Sequence, residues 1–190
     1  MTGPGAGVAA VVITVLIGVA MVQAQAPAAA TETLTGTASA RKGTTRVSAP
    51  FSVTIRRYAT AAERDALIAA IRDEGTSGAR RVLATMPDAG TIQLGDRHTT
   101  IKFVSQRTTG SGRLVTLLTA QPIVFVGAGV PDAQPRTGFD VALAFLDLQE
   151  TGGIGELAPA ARIGIDHAGA LVTEDYGATV IWLDHLVPAK

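Results

Sequence analysis

Polar and apolar residues alternate with a period of two along much of this chain. Phe51, Val53 and Ile55 alternate with Ser52, Thr54 and Arg56, the pattern of a half-buried strand with one wet face. Thr31 to Ala40 is Thr-rich and alternates weakly, which predicts an earlier, more exposed strand. Thr91–Leu94 and Thr99–Ser105 flank Gly95-Asp96-Arg97-His98, a tight hairpin signal. Gly110-Ser111-Gly112 separates the second of these from a strand at Arg113–Thr119. Pro122–Val126 is continuously apolar, as a strand buried on both faces would be. Gly127–Arg136 holds two Gly and two Pro and predicts a loop. Phe139, Val141, Leu143 and Phe145 give the cleanest alternation, and Gly152-Gly153 turns that strand into Ile154–Ile165. Val180–Leu183, with the single Trp, closes the pattern.

One region has a helical period instead. Thr60-Ala61-Ala62-Glu63 is a capping box, in which the threonine hydroxyl and the glutamate carboxylate each satisfy an orphan amide. Leu67, Ile68 and Ile71 follow at helical spacing, and Gly75 is a natural stop. Asp73 and Glu74 sit at the unfavourable end of the helix dipole. A second short helix is expected over Ser77–Met86, with Val82, Leu83 and Met86 on one face and Pro87 ending it. The predicted fold is therefore α+β and mostly antiparallel β. It is a barrel or sandwich of about nine or ten strands, with one helical hairpin inserted after the second strand. No helix is available for a parallel crossover after residue 88.

Residues 1–24 contain no Asp, Glu, Lys, Arg or His, and Val8–Val22 is almost purely apolar. That run suits a signal peptide and is short for a membrane span of about 20 residues. Val22-Gln23-Ala24 predicts cleavage after Ala24, and an uncleaved anchor is the alternative. Residues 25–31 read as a flexible leader and residues 32–187 as a single β-rich domain, periplasmic or extracellular, with no membrane span after cleavage. Sixteen Lys+Arg balance sixteen Asp+Glu. Zero net charge argues against non-specific nucleic-acid binding. The absence of Cys excludes disulfides, thiol catalysis and Cys-ligated zinc.

The stretch Pro122-Ile123-Val124-Phe125-Val126-Gly127-Ala128-Gly129, followed by Pro135-Arg136-Thr137-Gly138-Phe139-Asp140-Val141, resembles a group of small exported bacterial proteins of the acidobacterial type. The resemblance runs loosely from the strand at Phe51, through the Thr60 helix, to about Arg162. The group is uncharacterised, so the resemblance implies export and a single domain and assigns no activity or catalytic residue. The order of elements is also similar to that of fatty-acid-binding and other calycin barrels. The Gly-x-Trp opening of lipocalins is missing, and Trp182 lies at the other end.

Candidate chemistry is sparse. Gly127-Ala128-Gly129 follows an apolar strand, as a dinucleotide loop would, but Asp132 replaces the third glycine and Pro131 stands where a helix should open. His98, His167 and His185, with Asp166, Asp184, Glu174 and Asp175, could supply metal ligands, but not at any recognised spacing. Ser111 lacks a nucleophile elbow. Arg56-Arg57 and Arg80-Arg81, with Arg64 and Arg72, could guide an acidic group, or pair with Glu63, Asp65, Asp73 and Glu74 on a solvated helix face. Phe51, Phe103, Phe125, Phe139 and Phe145 fall in strand patterns and read as core. No catalytic, cofactor-binding or metal residue is assigned.

These observations favour a non-enzymatic exported domain that binds a small apolar or amphipathic ligand. In that reading the helical hairpin covers a barrel mouth, with Leu67, Ile71, Val82 and Met86 facing the ligand. The alternatives are a cell-envelope structural or protein-interaction module using Gly127–Arg136, and a hydrolase with a site assembled from distant Ser, His and Asp residues.

Overall fold

The structure, a computed structural model, describes residues 31–42, 44–123 and 137–189. The expected signal segment and all of the leader but Thr31, most of the apolar run Pro122–Val126, the loop Gly127–Arg136 and Phe125 lie outside the described residues. The elements run β1 (Glu32–Lys42), β2 (Thr45–Ile55), α1 (Ala61–Thr85), β3 (Gly90–Leu94), β4 (Arg97–Ile101), β5 (Phe103–Thr108), β6 (Gly112–Leu118), β7 (Val141–Gln149), β8 (Gly152–Ile165), β9 (Leu171–Tyr176) and β10 (Ile181–Pro188).

All strand pairs are antiparallel, in the order β4-β3-β2-β1-β10-β8-β7-β6-β5, with β9 added to β8. The two ends of that path, β4 and β5, are separated only by Lys102. They are two halves of one bent strand, so the sheet curls into a nearly closed barrel. At the bend the Lys102 amide donates to the Leu118 carbonyl at 2.9 Å, while the Ala89 amide donates to the Ile101 carbonyl at 2.8 Å.

Burial divides into two layers. Leu34, Val53, Ile92, Val115, Leu146 and Leu183 belong to one buried cluster that fills the barrel interior. A second cluster joins Leu67, Ile71, Leu83 and Met86 of the helical region to Phe103, Leu143 and Ile163 on the outer wall. β7 shows the division directly: Ala142, Ala144, Leu146 and Leu148 face the interior, whereas Val141 and Leu143 face the helix. The alternation at Phe139–Phe145 therefore marks the outer face, and the intervening alanines are small enough to read as neutral while packing the inner one. Burying a side chain such as Leu143, 1% exposed, contributes about 2 kcal/mol.

This placement corrects the lid. α1 lies along the outer wall, not over a mouth, and Leu67, Ile71 and Met86 are packed against strands. The capping box forms as expected: Thr60 Oγ1 accepts from the Glu63 amide at 3.2 Å and the Thr60 amide donates to Glu63 Oε2 at 2.8 Å. The two expected helices are one element kinked at Gly75, whose φ of 63° and ψ of −145° suit only glycine. Just after the kink, buried Thr76 accepts from the Ile163 amide at 2.9 Å. The β8–β9 ladder shifts register at Arg162/Ile163, so the threonine satisfies a backbone group at that irregularity.

Several smaller boundaries differ. The hairpin turn is only Gly95-Asp96, with His98 already in β4, because glycine at positive φ permits a two-residue turn. The β7–β8 turn is Glu150-Thr151, and Gly152-Gly153 opens β8. Pro122 and Ile123 are not in a strand. β9 follows the Asp166–Gly169 turn and has no strong periodic signal.

Two outcomes check this arrangement. Thr76→Val keeps the shape but leaves the Ile163 amide unpaired, and should lower unfolding free energy by about 1–3 kcal/mol in urea denaturation. Glu63 is held down at about 2 from an ordinary 4.5, chiefly by hydrogen bonds from Arg57 at 2.8 and 2.9 Å. Its depressed value stabilises the fold above pH 4.5, and that stability is lost as pH falls towards 2. The stability gap between the native chain and Glu63→Gln should narrow over that window in acid titrations.

Candidate functional site

A groove of about 600 Å³ lies between α1 and the outer wall of the barrel. Period-two geometry builds its floor, because alternate residues of each strand point outward. Ser105 of β5, Thr116 of β6, Phe145 of β7 and Glu156 of β8 stand in register across four strands. Phe103 and Leu114 extend the floor, Arg64, Leu67 and Ile68 form the helical side, and the segment Asp166–Val172 forms the opposite rim. The lining is mainly apolar with a few charged groups at its margins, the usual composition of a small-molecule site.

The same row continues beyond the groove. Glu156 pairs in register with Trp182 of β10 as well as with Phe145. Tyr176 brings its hydroxyl to 3.5 Å from Glu156 Oε1. Trp182 is 55% exposed and Tyr176 40% exposed. One carboxylate thus has aromatic residues around it on three strands.

A second polar cluster closes one end of the barrel. Arg113 of β6 donates to Glu32 at the start of β1, and to Tyr58 Oη and Gln106 Oε1, both at 3.0 Å. Tyr58 Oη in turn donates to Glu32 Oε2 at 3.2 Å. The triangle ties the β1 entrance, the β2–α1 connection and β6 together. An opening of about 540 Å³ lies beside it, over Leu34, Leu148 and Leu186. Its charges are already neutralised within the cluster, which makes it a strap more than a binding site.

The candidates from sequence disperse. His98 is on β4, His167 in the β8–β9 turn and His185 in a β10 bulge at φ 57°; all three are exposed. Among the described residues no group of three or more His, Asp or Glu side chains could hold a metal ion. Ser111 is an exposed turn residue. Arg57 pairs with Glu63, Arg81 with Glu74 and Arg80 with Asp140. Of the helical arginines, Arg64 reaches the groove. Of the residues proposed to face a ligand, only Leu67 lines it, whereas Ile71 and Met86 are buried and Val82 packs beside them. Sequence reasoning missed Glu156, Tyr176 and Trp182 as neighbours, since they are distant in sequence and meet only through strand order. Period two did place Phe145 on one face, without saying which face was outside.

Burial, then the charge of Glu32, raises the Tyr58 phenol above its ordinary value of 10.0, and Arg113 opposes that rise. A raised phenol value favours the fold below pH 10, and this contribution is lost as pH climbs through the folded value. In a Tyr176→Phe background, ultraviolet titration of the remaining phenol should show ionisation above 10, moving down in Glu32→Gln and further up in Arg113→Gln. No known protein family, no curated protein and no solved structure matches this chain.

Proposed function

We propose that this chain is an exported, non-enzymatic binding protein, and that its ligand is a small amphipathic molecule held in the groove beside α1. The observation that carries the reading is the groove itself, with Leu114 and Phe145 partly exposed on its floor beside Ser105 and Thr116, Ile68 and Leu171 on its sides, and its charged groups at the margins. A small apolar tail gains about 25 cal/mol per Å² of surface removed from water there. The barrel interior is occupied by its own side chains, so the ligand sits on the wall and not inside. Export rests on the charge-free, apolar stretch Val8–Val22 and the small residues before Gln25. No helix among the described residues is long and apolar enough to cross a membrane.

A second reading, a cell-envelope interaction module, draws support from β9. Among the described residues it pairs only with β8, and a strand with one unpaired edge is a template for another chain.

Native mass spectrometry tests the first reading on protein purified from periplasm without detergent. The expected spectrum shows a chain beginning at Gln25 with an adduct of constant mass, lost on denaturation and depleted in Ile68→Glu. A bare mass together with no uptake of added medium-chain amphiphiles overturns it. A stoichiometric protein partner in place of an adduct supports the second reading instead.

A further inference from the structure

We infer that the groove takes a cationic amphiphile, whose ammonium group lies against Glu156 among Phe145, Tyr176 and Trp182. The inference rests on the groove being the ligand site and names the chemistry of its head group.

Three observations converge on Glu156. First, it lies at the junction of two surfaces, lining the groove while pairing in register with Trp182 outside it. Second, its nearest neighbours across the sheet are aromatic. Residues directly opposite on adjacent antiparallel strands have Cβ atoms about 4.5–5.5 Å apart, which places Phe145 and Trp182 on either side of the carboxylate. Tyr176 approaches from the next strand. Third, Glu156 takes part in none of the six ion pairs among the described residues. Aromatic faces and an uncompensated carboxylate both attract a cation, and aromatic surroundings are how quaternary ammonium groups are recognised.

The surrounding charges reinforce this polarity. Asp147 is the diagonal neighbour of Glu156 on the same outer face, about 7–8 Å away, and adds negative potential. Arg107 lies three strands away across the groove floor, about 14 Å at ordinary strand spacing and beyond the screening length of physiological salt. Arg64 lines the helical side but makes no ion pair with Glu156. On the far side of Trp182, Arg46 is held by Asp184 and Ser39. The cation end and the apolar tail therefore have distinct places: the head at Glu156, the tail over Phe145 and Leu114.

Trp182 is the single tryptophan of the chain, so its emission reports this site directly. Full-length mature protein would be titrated with octyltrimethylammonium, octyl sulfate and octanol, each below its aggregation threshold. Octyltrimethylammonium should shift Trp182 emission and bind at least about fivefold more tightly than octyl sulfate. Glu156→Gln should abolish that preference with an unchanged thermal midpoint, and added salt should weaken it. By calorimetry, Trp182→Ala should weaken the ammonium ligand about threefold or more while leaving octanol unaffected. Equal binding of all three ligands, insensitive to Glu156→Gln, overturns the head-group assignment and leaves the groove reading standing. Binding of none of them overturns both.

Discussion

The barrel depends on one constraint: a single strand serves both ends of the sheet. β4 completes the path on one side and β5 on the other, and Lys102 is the only residue between them. A curled sheet that ended on two separate strands would expose two rows of unpaired backbone groups. Sharing one bent strand removes most of that edge. Lys102 also fastens the bend to the exit of the helix, since its ammonium donates to the Met86 carbonyl at 3.2 Å and to Asp88 at 2.7 Å. Barrel closure and helix placement are thereby set at one position in the chain.

Closure decides where a ligand can go. The interior strand faces meet one another and fill the space with Leu, Ile, Val and Ala. The helix then covers part of the outer wall, where Val141, Leu143 and Ile163 would otherwise face water. It covers only part of it. Along the margin of α1 the wall is still apolar but no longer in contact, and this margin is the groove. The bond from the Ile163 amide to Thr76 ties the helix to β8 just beyond its kink.

The charged residues divide into those that hold the frame and those free to meet a ligand. Arg57 with Glu63 secures the start of the helix, and Arg113 with Glu32 and Tyr58 secures an end of the barrel. Both sets are partly buried and mutually satisfied, so adding a ligand there would first break existing bonds. Glu156 has no charged partner, only the Tyr176 hydroxyl at 3.5 Å, and its neighbours are rings. A carboxylate on a mostly apolar wall is where electrostatic selectivity costs the frame least.

The sequence by itself determined the antiparallel β class, the capping box and the break at Gly75. Each of these follows from local rules: a period of two, a four-residue hydrogen-bonding motif, or the one residue that tolerates positive φ. β9 was not legible, because Leu171–Tyr176 lies half-exposed and carries little alternation. Only the tertiary structure decided that Phe139–Phe145 marks the outside of a barrel, since alternation shows that two faces differ without telling which faces inward. Only the tertiary structure brought Phe145, Glu156, Tyr176 and Trp182 together. Their proximity depends on strand order and register, which are set by how the whole sheet closes and not by any residue's immediate neighbours.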